Sequence, residues 1–211
     1  NLIDGLDGLA VGVSSIAAIT MLAVALLTDN MAIAITMAAL TGACIGFMPY
    51  NLNPAKIFMG DTGSTFLGYM LATVSIMGLF KFYAVISFAV PFLILGLPIF
   101  DTANAIIRRL AEGRSPMSPD RGHVHHKLID MGFNQKQAVA ILYAISATLG
   151  LTAVVLTSSG EVKAVVLLAA VLAAILVGAC IIYGAEHWGK HPQEQKKHKK
   201  EAAQEEKNKH E

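Results

Sequence analysis

Long apolar runs separated by short polar stretches dominate this sequence. Six runs approach or reach about 20 residues, the length at which a helix crosses the hydrocarbon layer of a bilayer. They cover residues 9–28, 31–48, 65–80, 83–100, 138–157 and 162–183. A soluble helical domain would contain one or two such runs, so the pattern predicts an all-α, polytopic integral membrane protein with about six transmembrane helices.

Composition agrees with this fold class and divides the chain in two. Hydrophobic residues make up 55% of the sequence and charged residues 15%, whereas charged residues form about a quarter of a typical soluble domain. We therefore expect a membrane-embedded domain over residues 1–183 and a charged, disordered tail over residues 184–211. Glutamates nearly balance the lysines of this tail, which argues against a nucleic-acid partner.

The distribution of basic residues predicts the orientation of the spans. Six spans place both chain ends on one side of the membrane, together with the connections 49–64 and 101–137. That side holds all of the 16 Lys and Arg residues except Lys81 and Lys163. Because cytoplasmic loops carry most of the basic residues of a membrane protein, we expect the polar segments to face the cytoplasm.

The first polar segment, residues 1–8, carries two aspartates. Asp4 and Asp7 are three residues apart, which on a helix places both carboxylates on one face. Two like charges at a membrane boundary repel each other, so this arrangement favours a cation or a substrate between them. The alternative is a polar helix start in which an aspartate caps the helix.

The second polar segment, residues 49–64, begins with a loop that contains amides and a lysine. Pro49 and Pro54 are expected to end the preceding helix and to shape this loop. Asn51 offers hydrogen bonds, and Lys56 offers a positive charge suited to phosphate. The alternative is an interfacial turn in which the lysine extends towards water.

A third carboxylate closes the second segment. Asp61 lies between two glycines, just before the apolar run that begins at Thr65. A carboxylate beside a helix N-terminus, where unpaired N–H groups point outward, can hold a divalent cation together with phosphate. Helix capping is the alternative role for this residue, although Ser64 or Thr62 could cap the helix instead.

The third polar segment follows a run that is expected to end near Pro98 and Asp101. Its candidate binding residues are Arg121, His123, His125 and His126. Arginine can bind phosphate through two hydrogen bonds, and imidazole can donate to phosphate oxygens or transfer protons. The segment therefore favours a diphosphate-binding loop. The alternatives are a zinc site, which would need three or four ligands, and interfacial histidines without a ligand.

These segments resemble those of the polyprenyl-phosphate N-acetylhexosamine-1-phosphate transferases, membrane enzymes of glycosyltransferase family 4 that start bacterial cell-envelope polymers. The matching pieces are residues 1–10, 51–64 and 98–128. The resemblance implies an enzyme of the bacterial cytoplasmic membrane, with its active site facing the cytoplasm. It would transfer N-acetylglucosamine 1-phosphate from UDP-N-acetylglucosamine to undecaprenyl phosphate and release UMP. The His-x-His-His loop is more similar to this branch, which initiates wall teichoic acid, than to the phospho-N-acetylmuramoyl-pentapeptide branch.

The resemblance also implies roles for the polar residues. Asp61 would ligate Mg²⁺, with Mn²⁺ as the alternative metal, and Asp4 and Asp7 would complete the acidic catalytic wall. The residues expected to bind the substrates are Asn1, Asn51, Lys56, Arg121, His123, His125 and His126. Besides the two substrates, the expected partners are the lipid bilayer and a second copy of the chain.

The sequence departs from the family pattern in one respect. Family members have further N-terminal spans and an Asp-Asp-x-x-Asp motif, and these 211 residues contain neither. The chain is therefore expected to be the C-terminal portion of an enzyme and to be inactive alone. The alternatives from other classes are a membrane scaffold and a transporter. A transport path needs ionisable residues at mid-depth, and the centres of the six runs contain none.

Overall fold

Seven α-helices make up the described part of this computed structural model, which comprises residues 3–78, 84–115 and 123–158. In chain order they are α1 (Leu9–Leu27), α2 (Met31–Asn51), α3 (Gly60–Gly78), α4 (Ala84–Ile94), α5 (Gly96–Ala111), α6 (Val124–Asp130) and α7 (Gln135–Ser158). For these residues the predicted all-α fold class is confirmed. They lie within one compact unit, Asn1–Val165, whereas the predicted tail lies outside the described residues, so the division of the chain at residue 184 stays a prediction.

Three of these helices are long and apolar enough to cross a membrane, judged by length and composition. They are α1, α2 and α7, which correspond to the predicted runs 9–28, 31–48 and 138–157. The run 65–80 falls mostly within α3, which does not meet the same criteria, and the run 162–183 lies outside the described residues. The chain is thus a helical membrane protein, and six as the number of spans stays a prediction.

Helix α1 lies at the centre of the bundle. In the 18-residue apolar stretch of each candidate span, 72% of the α1 residues are buried, against 28% of the α2 residues and 33% of the α7 residues. Glycines bring α7 close to it, because a Cβ on Gly12 would lie 2.0 Å from the Tyr143 ring and a Cβ on Gly150 would lie 2.4 Å from Thr20 Oγ1. Such small residues let helix backbones approach each other. The close crossing holds the N-terminal end of α7 beside the polar start of α1.

The second helix runs through Pro49, so the prediction that this proline ends it is wrong. α2 continues to Asn51, and the Leu52 N–H donates to the Met48 carbonyl at 2.9 Å. A proline removes one N–H from a helix, and here only the final turn follows it. As a result, the Asn51 side chain extends from a helix end rather than from a loop.

The predicted run 83–100 contains two helices. Leu95 separates α4 from α5, and its backbone is not helical, with φ −95° and ψ 14°. Pro98 lacks the N–H that a continuous helix would need, but in the first turn of a new helix that N–H has no acceptor in any case. The expected end of the run near Asp101 is therefore wrong. α5 continues past this residue, and the carboxylate extends from the middle of a helix.

Candidate functional site

The two aspartates of the first segment precede α1 instead of lying within it. Helix α1 starts at Leu9, its N-cap is Gly8, and no side chain makes the capping hydrogen bond. Asp4 and Asp7 therefore do not share a helical face, and neither caps this helix. Asp7 lies in a turn that other parts of the chain hold in place.

Asp7 joins the first segment to the second. The Asn53 side-chain amide donates to Asp7 Oδ2 at 2.9 Å, and the Ala55 N–H donates to the same oxygen at 3.1 Å. Asn53 also donates to Gln135 Oε1 at 2.9 Å, at the start of α7. Because a carboxylate only accepts hydrogen bonds, these two donors fix the Asp7 side chain in one orientation.

Gly8 is held from both sides of its peptide backbone. Its φ of +80° is in the left-handed region, which glycine adopts without steric cost. Its N–H donates to Asn51 Oδ1 at 3.2 Å, and the Tyr143 hydroxyl donates to its carbonyl. Asn51 is 2% exposed, and its amide donates to the Ile57 carbonyl at 2.9 Å. The Asn51 side chain thus links the turn that follows Asp7 to the second polar segment.

Asp4 and Asp61 come from two segments and lie close enough to interact electrostatically. Burial raises the pKa of Asp4 above its usual range, and the carboxylate of Asp61 adds to the rise. Asp61 is exposed in the first turn of α3, just after Gly60 with its φ of +66°. A carboxyl group whose proton affinity rises beside a second carboxylate belongs to a site that a cation would stabilise.

The histidine segment is anchored by Asp101. Asp101 Oδ2 lies 2.9 Å from His123 Nδ1, and Asp101 Oδ1 accepts from the Val124 N–H at 2.9 Å. Both side chains of the Asp101–His123 pair are buried. One carboxylate on α5 therefore orients the first histidine and holds the first backbone N–H of α6.

His125 packs the third segment against the first. Its ring stacks on His123 with centroids 5.7 Å apart and lies 4.2 Å from the ring of His126. A Cβ on Gly5 would lie 2.4 Å from His125 Nε2, and this nitrogen has no hydrogen-bond partner among the described residues. Burial, followed by the neighbouring His126, lowers the pKa of His125 to about 4. This imidazole is therefore neutral near pH 7.

The predicted site residues differ in their exposure to solvent. Of the residues expected to bind substrate, Lys56 is exposed, while Asn1 and Arg121 lie outside the described residues. His126 is half-buried beside His125. Within residues 3–78, 84–115 and 123–158, no three His, Cys, Asp or Glu side chains converge to hold a metal ion, so the zinc alternative has no support there.

The sequence did not predict three residues that hold parts of the site in place, namely Asp101, Gln135 and Tyr143. A buried carboxylate without a partner is costly, so the aspartate after an apolar run could have been expected to bind a neighbouring donor. Its partner, 22 residues further along the chain, could not have been named. Gln135 lies in the polar stretch before the run 138–157, where nothing distinguishes it from its neighbours, and Tyr143 lies within that run, whose apolar pattern predicts only a membrane span.

An apolar cleft of about 440 Å³ lies between α1, α3 and α5. Its lining includes Ile3, Ser14, Ser64, Gly68, Leu71 and Ile99. Ile3 adjoins Asp4 in the chain, and Ser64 lies one helical turn after Asp61, so this end of the cleft is next to the two carboxylates. The arrangement can receive a hydrocarbon chain whose polar end reaches the acidic residues.

A family model described as glycosyl transferase family 4 matches residues 1–79. This segment belongs to glycosyl transferase family 4. It contains the first two polar segments and therefore Asp4, Asp7, Asn51 and Asp61. The Asp101–His123 pair follows the segment that this glycosyl transferase family 4 model matches.

Curated relatives match a longer part of the chain than residues 1–79. The Bacillus subtilis protein named probable undecaprenyl-phosphate N-acetylglucosaminyl 1-phosphate transferase is 43% identical over 159 residues, which are 75% of this chain and 44% of that protein. The Mycolicibacterium smegmatis decaprenyl-phosphate N-acetylglucosaminephosphotransferase is 40% identical over 68% of this chain and 40% of its own length. The Escherichia coli undecaprenyl-phosphate alpha-N-acetylglucosaminyl 1-phosphate transferase is 31% identical over 86% of this chain and 51% of its own length. The chain thus spans about half the length of the curated relatives it matches.

Proposed function

We propose that the protein containing this chain transfers N-acetylglucosamine 1-phosphate from UDP-N-acetylglucosamine to undecaprenyl phosphate and releases UMP. The names of the Bacillus and Escherichia relatives describe this transfer for those proteins. They support N-acetylglucosamine as the donor sugar over phospho-N-acetylmuramoyl-pentapeptide, the alternative within the family. Initiation of wall teichoic acid is the cellular role that we propose for the product.

The convergence of the three polar segments carries this proposal. Asp7 accepts from Asn53 and Ala55, which joins the first segment to the second. His125 lies against Gly5, which joins the third segment to the first. Carboxylates, amides and imidazoles from distant parts of the sequence thereby surround one region, as a site for an anionic nucleotide sugar requires.

The chemistry demands charge neutralisation more than proton transfer. In the net reaction, an oxygen of the lipid phosphate forms a bond to the β-phosphorus of the donor. The bond between this phosphorus and the bridging oxygen breaks, and the oxygen leaves with its electron pair as part of UMP. A phosphate monoester has a second pKa near ~6 and is mostly a dianion at pH 7, so the obstacle is the approach of two anions.

We propose that Asp61, with Asp4 nearby, holds Mg²⁺ in this site, with Mn²⁺ as the alternative metal. The metal would neutralise diphosphate charge and polarise the phosphorus. Mg²⁺ commonly uses one or two carboxylates together with substrate phosphates, and the electrostatic interaction between these two carboxylates supports that arrangement. Asp7 would contact the donor through Oδ1, because Oδ2 already accepts two hydrogen bonds.

The apolar cleft between α1, α3 and α5 is the proposed place for the polyprenyl chain. Its lining is apolar, and its end at Ile3 and Ser64 adjoins the carboxylates. Because lipid tails are about as apolar as such a lining, a polyprenyl chain can enter the cleft from the bilayer without exposing its apolar surface to water. Such a cleft would hold the acceptor in the membrane while its phosphate extends towards the donor.

We further propose that this chain contributes about six spans to an enzyme of the bacterial cytoplasmic membrane, with this site on the cytoplasmic side. The placement of nearly all Lys and Arg residues on one side supports this orientation. UDP-sugars are water-soluble, so a site at the cytoplasmic membrane surface meets the donor from solution and the acceptor from the bilayer.

The test is a transfer assay with the full-length protein in lipid nanodiscs. Purified protein, undecaprenyl phosphate and Mg²⁺ are incubated with UDP-N-acetylglucosamine labelled in the sugar, or with the labelled muramyl-pentapeptide donor in a parallel reaction. We expect label in the organic phase and stoichiometric UMP with the first donor only. Label and UMP from the second donor alone would identify the muramyl branch. Absence of both products, with active reference enzyme in the same nanodiscs, would contradict a transferase and leave transport or scaffolding.

A further inference from the structure

Asp101 is a buried carboxylate with both oxygens engaged. It is 5% exposed, and its partner His123 is 6% exposed. Oδ2 lies 2.9 Å from His123 Nδ1, and Oδ1 accepts from the Val124 N–H at 2.9 Å. A buried carboxylate is costly unless hydrogen bonds compensate it, and these two bonds provide that compensation from one short segment.

This pairing determines which ring nitrogen of His123 carries a proton. An ionised carboxylate accepts hydrogen bonds and donates none, so Nδ1 must be protonated. The second nitrogen, Nε2, is then an acceptor in the neutral ring. Partners of this kind set the tautomer and the orientation of functional histidines.

Stacked rings connect His123 to the rest of the site, so its orientation affects its neighbours. His123 stacks on His125 with an interplanar angle of 8°, and His125 packs on Gly5 beside the acidic residues. A rotation of His123 would therefore disturb the contact between the third and first segments. Asp101 lies on α5 and is the residue that prevents this rotation.

We propose that Asp101 is a positioning residue for the transfer reaction: it holds His123 with Nδ1 protonated, so that Nε2 accepts a hydrogen bond from a hydroxyl or amide N–H of the nucleotide-sugar donor. This inference rests on the proposed function. It assigns His123 to the sugar or nucleoside part of the donor and leaves the phosphates to the metal and the basic residues.

The kinetic test compares two substitutions in the full-length enzyme. Asp101→Asn keeps an oxygen for the Val124 N–H, but its amide donates towards Nδ1 and moves the ring proton to Nε2. We expect kcat/KM for UDP-N-acetylglucosamine to fall about 10- to 100-fold, mostly through KM. His123→Gln places an amide near the position of Nε2 and removes the ring nitrogen that Asp101 orients, so Asp101→Asn should cost less than about 3-fold in that background.

A matched control and a spectroscopic measurement complete the test. Asp130→Asn changes an exposed aspartate at the end of α6, and it should leave kcat/KM and the melting temperature unchanged. Imidazole ¹⁵N NMR of histidine-labelled protein, with His123 assigned by its loss in His123→Gln, should show Nδ1–H in the wild type and Nε2–H in Asp101→Asn.

Two results would overturn the proposal. One is kinetic: kcat/KM is unchanged in Asp101→Asn, or it falls by the same factor in the His123→Gln background, which would mean that Asp101 does not act through His123. The other is an Nε2–H tautomer of His123 in the wild type. The NMR measurement needs no turnover, so absence of transfer by the wild-type enzyme would contradict the proposed function separately.

Discussion

The imidazole of His125 lies so close to Gly5 that a Cβ on this glycine would sit 2.4 Å from Nε2. The two residues come from the third and the first polar segments, and His125 is 2% exposed. Glycine is therefore required at position 5 by space, and the contact brings the histidines beside Asp4 and Asp7. The contact places the two segments in one site, and it can be disrupted by a single methyl group.

We predict that Gly5→Ala destabilises the protein and lowers its activity. The added methyl must displace the His125 ring or the turn that carries Asp4, and such overpacking costs about 1–3 kcal/mol. Thermal unfolding of the full-length protein in nanodiscs should show a lower Tm, and UMP release should fall. In a His125→Ala background the same substitution should have a much smaller effect on Tm, because the ring is gone.

Gly46→Ala is the matched control for this prediction. A Cβ on Gly46 would meet no atom within 4 Å, and within a helix alanine is favoured over glycine by about 1 kcal/mol. We expect its Tm to be unchanged or raised. Equal losses for both glycine variants would show that the contact between His125 and Gly5 is not the cause.

A second prediction concerns the link between Asp7 and the second segment. Asn53→Ala removes the hydrogen bonds to Asp7 and Gln135, whereas Gln135→Ala removes only the second of them. A hydrogen bond to a charged group contributes about 1.5–3 kcal/mol, against about 1 kcal/mol for a neutral pair. We expect Asn53→Ala to lower kcat/KM clearly more than Gln135→Ala, measured as UMP release. Equal effects would mean that the bond to Asp7 contributes nothing to the site.

The sequence was sufficient to group the right segments but not to determine their geometry. The spacing of Asp4 and Asp7 predicted one helical face, yet both lie in turns before α1 because Gly8, with its positive φ, starts the helix. Their proximity to the other segments depends on bonds to Asn53 and Asn51, which lie more than 40 positions away. Such long-range pairs leave no periodic pattern in a single sequence.

The helix boundaries were likewise predicted only in part. Charge-free runs located α1, α2 and α7 within a few residues, because membrane length and apolarity determine them. The prolines were misleading. Pro98 lies in a first turn, where the missing N–H has no helical acceptor in any case, and Pro49 lies in a last turn, where one i→i−4 hydrogen bond is lost but only Tyr50 and Asn51 follow. Asp101 consequently appeared to be a loop residue, whereas the structure places it within α5, bonded to His123.

A third prediction follows from the neutral state of His125. Its pKa is about 4 in the folded protein, lowered from 6.5 by burial and by His126. Below pH 6.5 the unfolded chain gains a proton at this ring, whereas the folded protein does not until about pH 4. The free energy of unfolding must therefore fall as the pH is lowered from 6.5 to 4, with full stability above that window.

His125→Phe isolates this contribution, since phenylalanine cannot be protonated. We expect Tm of the wild type to fall more steeply between pH 6.5 and 4 than Tm of the variant. The raised pKa of Asp4 acts in the opposite direction, because its contribution is lost as the pH rises, but it is common to both proteins. Parallel Tm curves would contradict a neutral, buried His125.

The last prediction tests Asp61 as the metal ligand. Asp61→Asn keeps the size of the side chain but removes the charge that would bind Mg²⁺, and loss of several kcal/mol of transition-state stabilisation corresponds to about 100-fold or more in rate. UMP release by the full-length enzyme should fall by this factor and should not be restored by raising Mg²⁺. Asp29→Asn is the control, because Asp29 is exposed in the α1–α2 connection with φ of 54°, a conformation that asparagine also adopts. Near-normal, Mg²⁺-dependent turnover in Asp61→Asn would show that Asp61 is not the metal ligand, and Asp4 would then be the candidate.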